Sequence, residues 1–181
     1  MTERAQRLHA TADEQIAKLI AFLSKVDEAT LQLPCAGREK LGDGTVAASA
    51  QHTADNYQRI ADFVTTSDRM SATHTSPQHG GHRIPRLLRA LGHGPADHGD
   101  HARGQHQYTA DTVDVHTLVK HLSATRGALN RITVLTDSQL DAIPPKDSFR
   151  FCDGQRTLDQ VLASLLRHQS HQLDVLTAGR P

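Results

Sequence analysis

Leu8, Ala12, Ile16, Leu19, Leu23 and Val26 recur at steps of three and four, the period that gives a helix one apolar face. The spacing predicts a first helix over residues 3–30. Pro and Gly punctuate the chain at Leu33-Pro34-Cys35-Ala36-Gly37 and again at Gly42-Asp43-Gly44, where a lost amide and a freed backbone oppose helix. Val46, Ala50, Thr53, Tyr57, Ile60, Ala61 and Val64 then resume helical spacing and predict a second helix over about 45–66. Val115, Leu118, Leu122, Thr125, Leu129 and Ile132 predict a third, over roughly 112–136. The Thr157-Leu158-Asp159-Gln160 segment has the form of a capping box, which opens a fourth helix running to about 177. No strand pair is visible. The expected fold is all-α, an antiparallel four-helix bundle forming a single domain over 1–181.

Between the second and third helices the chain changes character. Residues 66–109 are dominated by Gly, Pro, Ser and His, with histidines at 74, 79, 82, 93, 98, 101 and 106. A loop insertion is expected, with one two-turn helix over 84–91 that tolerates Pro85 in its first turn and ends at Gly92. A connection this long is uncommon in a compact domain and speaks against simple up-down topology throughout. His79-Gly80-Gly81-His82 and His98-Gly99-Asp100-His101 could chelate zinc, copper or nickel, or the segment is a solvated insertion. Arg83, Arg86 and Arg89 could cover the bundle mouth or be solvated charge.

Composition narrows the function classes. Lys plus Arg equals Asp plus Glu at 20 each, so the chain carries no net charge to draw it to nucleic acid or an acidic membrane. Aromatics make up 3%, with no Trp, so the core rests on Leu, Val, Ile and Ala. Cys35 and Cys152 stand in unrelated contexts without Cys-x-x-Cys spacing, which excludes a zinc ribbon and suits a reducing cytoplasm. No apolar run approaches membrane-spanning length and the N-terminus is amphipathic, so a cytoplasmic, unprocessed chain is expected.

The fourth helix carries the candidate chemistry. At 100° per residue, Leu158, Val161, Leu162, Leu165, Gln172 and Leu176 fall within about 60° of one direction, with His168 at the edge. A buried imidazole or amide without a partner costs roughly 1–3 kcal/mol, so a hydrogen-bond network or a metal is expected there. Glutamate occurs only at 3, 14, 28 and 39, which excludes a carboxylate-bridged di-iron centre built from later helices. A haem pocket would lack aromatic lining. His168 and His171 lie about 60° apart and could share a mononuclear ion. His52 could supply a third imidazole, although it points about 140° from Tyr57 on its own helix. The residues alone leave structural histidines and a metal site both open.

The stretch Leu33-Pro34, Gly44-Thr45-Val46-Ala47-Ala48-Ser49-Ala50-Gln51-His52-Thr53-Ala54-Asp55, then Asp153-Gly154-Gln155-Arg156-Thr157-Leu158 and Leu166-Arg167-His168-Gln169-Ser170-His171-Gln172-Leu173, resembles the DinB/YfiT-like family. The resemblance covers most of the chain outside the His-rich loop. It implies a four-helix bundle holding a divalent ion, zinc or nickel, on one His of helix two and two residues a turn apart on helix four. It also implies a transferase or isomerase working with a low-molecular-weight thiol such as mycothiol or bacillithiol, on a small-molecule substrate. Carried across, the metal ligands are His52, His168 and His171, with Gln172 standing where the usual second helix-four ligand falls. The Trp that usually precedes helix two is missing here. Bundles of this type often pair, so a homodimer is compatible. The alternative is a non-catalytic metal-binding or stress-response protein that uses the His-rich loop.

Overall fold

Thr2 opens the chain's first helix: its hydroxyl accepts the Ala5 amide at 3.1 Å, satisfying a donor the first turn leaves free. Helix α1 runs Glu3–Leu23 and buries Ala5, Leu8, Ala12, Ile16, Leu19, Phe22 and Leu23. The computed structural model describes residues 1–73, 109 and 113–178, without the side chains of 68–73. The expected first helix over 3–30 is two helices. Ser24 caps α1, its hydroxyl donating to the Ile20 carbonyl at 2.8 Å, and Asp27 caps a one-turn helix α2, Glu28–Leu31.

Residues 32–45 form a loop that closes on itself. Pro34 and Thr45 make an isolated antiparallel bridge, with the Cys35 amide donating to the Gly44 carbonyl and the Val46 amide to Leu33. Gly44 closes it at a φ of +76°, and a Cβ there would stand 3.2 Å from the Glu39 Cα. Glycine is needed on both counts. The loop hangs Arg38 beside the start of α3, Val46–Thr73. That helix outruns its expected end at 66. Thr65 and Thr66 turn their hydroxyls back on the Ala61 and Asp62 carbonyls at 2.9 Å each, so these threonines sit in the helix and do not end it. The His-rich connection beyond Thr73, with the helix expected over 84–91, lies outside the described residues apart from Thr109.

Helix α4 runs Val115–Leu129 and tightens into a 3₁₀ segment, Asn130–Val134, where a continuous helix to 136 was expected. A short helix α5, Asp137–Asp141, follows from a capping box between Thr136 and Gln139. The same Thr-x-x-Gln signature opens α6, Leu158–Thr177, at Thr157 and Gln160.

Helices α1 and α3 each pack against both α4 and α6. The order around the bundle is therefore α1, α4, α3, α6, an all-α bundle of four packed helices. Tyr57, fully buried on α3, donates to Gln15 on α1 at 3.0 Å, and Gln15 donates to the Leu166 carbonyl of α6 at 3.1 Å. A chain of polar contacts thus crosses a core of Leu, Ile, Val and Ala. No helix among the described residues is long and apolar enough to cross a membrane.

Candidate functional site

An open cleft of about 950 Å³ lies between the 35–44 loop, α3, the turn before α6, and α6 itself. Both inner helices present polar groups to it. His52 and Asn56 come from α3, while His168, Gln169 and Gln172 come from α6. His52 is half-buried, and its Nε2 lies 3.0 Å from the Asn56 amide nitrogen one turn on. His168 is half-buried too. Its Nε2 lies 2.7 Å from the Gln172 amide nitrogen and 3.1 Å from Arg150 Nη1. A guanidinium can only donate, so His168 Nε2 is the acceptor of this contact and its lone pair is engaged by Arg150.

The turn between α5 and α6 is shaped to deliver Arg150. Asp147 and Phe151 both adopt positive φ, 60° and 69°, conformations that cost non-glycine residues free energy. The turn is held by the Cys152 amide donating to the Phe149 carbonyl at 3.1 Å and the Asp147 amide donating to Cys152 at 2.9 Å. Phe149 stacks on Phe63 of α3 with ring centroids 4.7 Å apart, and Phe151 meets the His168 ring edge-on at 6.2 Å. The Arg150 guanidinium sits 5.0 Å from the centre of the Phe151 ring.

Burial pushes His52 down to about 4, helped by the positive charges of Arg38 and Arg59 and opposed by Asp55. His168 is also lowered, first by burial and then by Arg150, Arg38 and His171. Both rings are therefore neutral near pH 7, the form that offers a lone pair. Cys152 lines the same cleft, buried, and its thiol is pushed up chiefly by burial, which keeps it protonated.

His52 and His168, expected as ligands, do face one cleft, and Gln172 joins them there. His171 does not. It is exposed and lines a separate depression with Arg156, Asp159 and Arg167 on the outer side of α6. The reason is helical geometry: residue 172, four on from His168, returns to the His168 face, whereas residue 171 swings outward. Among the described residues no group of three His, Cys, Asp or Glu stands close enough to hold a metal ion. The donor set at hand is two neutral imidazoles and one carboxamide. It is a weak donor set for a divalent ion, since an amide oxygen is a weak ligand and the Gln172 amide nitrogen, not its oxygen, faces His168.

Four cleft residues carry no sign in the hydrophobic pattern or escaped it. Arg38, Arg59 and Arg150 give it positive character, and two of them come from loops. Gln169 is 2% exposed, and among the described residues its side-chain oxygen has no hydrogen-bond partner. It falls four residues after Leu165 and four before Leu173, a spacing that marks it as an inward residue. What the fold and cleft define is an all-helical domain of packed helices with a polar, histidine-bearing cleft. Set against family models, curated proteins and solved structures, the chain has no significant match.

Proposed function

We propose that this protein is a small-molecule enzyme of the DinB/YfiT-like type, a thiol S-transferase or isomerase working with a divalent ion, zinc or nickel. One observation carries the reading: His52 of α3 and His168 of α6, far apart in sequence, face one cleft as neutral imidazoles, with Gln172 beside them. In this reading His52 and His168 hold the ion, and the Gln172 carboxamide takes the third protein position in place of His171. When bound, the ion would lower the pKa of a coordinated thiol and so supply thiolate near neutral pH.

The chain's own groups do the rest. Phe151 packs edge-on against the His168 ring, while Arg150 and Asn56 hold the Nε2 atoms of His168 and His52 and would give them up to a bound ion. Cys152 stays a thiol, so in this reading the nucleophile is a small thiol from solution and not Cys152. The cleft is wide enough for such a thiol together with a second small molecule.

Elemental analysis of tag-free protein never exposed to a nickel column tests the reading. One ion per chain is expected, lost in His52→Ala and in His168→Ala and kept when residues 74–106 are deleted. Equal metal content in wild type and both alanine variants would refute it. Ions that leave only with the deleted segment would support a non-catalytic protein binding metal through its His-rich loop.

A further inference from the structure

The cleft holds more positive charge than its imidazoles need. Arg38, Arg59 and Arg150 line it, and among the described residues none of the three is paired with a carboxylate. Arg150 instead donates to His168 and covers Phe151. Arg38 is half-buried, and burial lowers its pKa, a cost that an unpaired guanidinium bears in the free protein. Two carboxylates, Glu39 and Asp147, also border the cleft; both are exposed, and Glu39 accepts the Gly37 amide at 2.8 Å. Neither neutralises the arginines. Several other arginines among the described residues are paired: Arg4 with Asp137 and Asp141, Arg126 with Asp13, and Arg156 with Asp153.

A second, independent feature lies on α6. The Gln169 oxygen is buried and, among the described residues, has no partner, an arrangement that costs roughly 1–3 kcal/mol unless something arrives to donate to it. Ile60, Leu165 and Phe151 add apolar surface to the cleft lining. A space of about 950 Å³ far exceeds what an inorganic ion fills.

Resting on the reading of this cleft as the reaction centre, we propose that its substrate is a small organic carboxylate carrying a hydrogen-bond donor. Arg38 and Arg150 receive the carboxylate, the donor meets Gln169, and the apolar body lies between them. Guanidinium forks match a carboxylate bidentately, and such a pair discriminates against a neutral isostere.

The test uses three probes on the full chain, before and after treatment with chelator, followed by calorimetry and amide NMR shifts. Mandelate has charge and hydroxyl, phenylacetate lacks the hydroxyl, and mandelamide lacks the charge. Mandelate is expected to bind about tenfold more tightly than mandelamide and several-fold more tightly than phenylacetate. Arg38→Gln and Arg150→Gln, checked for native helicity, should each erase the preference over mandelamide, whereas Arg7→Gln on α1 should leave it unchanged. Gln169→Met should erase the preference for the hydroxyl. Mandelamide binding as tightly as mandelate, preferences untouched in the Arg38 and Arg150 variants, or inorganic phosphate competing as well as mandelate would each overturn the proposal. The chelator arm separates it from the metal reading: Arg38-dependent binding that survives chelation stands even if no ion is found, and an ion present without mandelate binding defeats this inference alone.

Discussion

His52 should make the fold acid-labile well above the pH at which its carboxylates titrate. Its ring is pushed from the ordinary 6.5 down to about 4, so the folded chain refuses a proton that the unfolded chain accepts. The sign follows from proton counting: as pH falls through 6.5 toward 4 the unfolded state binds more protons, and stability is lost. Above 6.5 neither state is protonated and the term vanishes. Each pH unit within the window is worth at most about 1.4 kcal/mol, and at about pH 5 the loss integrates to about 2 kcal/mol. Half-burial and the neighbouring Asp55 reduce it, which leaves about 1–2 kcal/mol. Asp13, Asp27, Asp114, Asp141 and Asp153 are all lowered from 3.8, so their contributions persist at about pH 5. The perturbation is His52→Gln, which removes the titrating group and keeps a polar side chain. Urea unfolding of both proteins at neutral pH and at about pH 5 gives the comparison, with the variant losing about 1–2 kcal/mol less than wild type on acidification. Equal losses in the two proteins would show that the site leaves His52 free to take up a proton, and the argument from burial and the flanking arginines would fall.

Gln172→His should tighten zinc binding by at least about tenfold, because an imidazole replaces a weak amide donor on the His168 face; competition with a chromogenic chelator reads it, and unchanged affinity would move the ion away from this cleft. Tyr57→Phe should cost about 1 kcal/mol in urea unfolding, since Gln15 loses the hydroxyl that donates to it at 3.0 Å and the α1–α3 link across the core is cut. Asp147→Gly should raise stability by about 0.5–1 kcal/mol, as glycine adopts the φ of 60° without the Cβ penalty and the backbone bond to Cys152 is kept; a lower melting temperature would contradict the strain assigned to that turn.

The helices were legible because burial of one face imposes a 3.6-residue period on the residues themselves, and the stripes of α1, α3, α4 and α6 carry it openly. Their ends were less so. Ser24 and Asp27 divide the first helix, and the Thr136-Gln139 capping box starts a short one, through local side-chain bonds that a hydrophobic period does not register. Thr66, where the loop was expected to begin, lies within α3, its hydroxyl finding the Asp62 carbonyl one turn back.

At the site, spacing along a single helix was enough to place Gln172 and His168 on the core side of α6, and Gln169 could have been found in the same way. His52 was singled out by resemblance. Which imidazoles share a space was another matter, because that depends on how α3 and α6 are rotated against each other, and packing sets the rotation. It faces His52 and His168 into one cleft and leaves His171 on the outer surface. Arg38 and Arg150 were invisible for a stronger reason: they come from loops without period, and only the closed 35–44 loop and the turn at Phe151 bring their charges to the imidazoles. The sequence by itself determined which residues turn inward along each helix, since that is a local, periodic property. The tertiary structure alone decided which inward and loop residues meet, because contacts between distant segments depend on how whole elements pack, and that packing brings two neutral imidazoles and three arginines to one cleft.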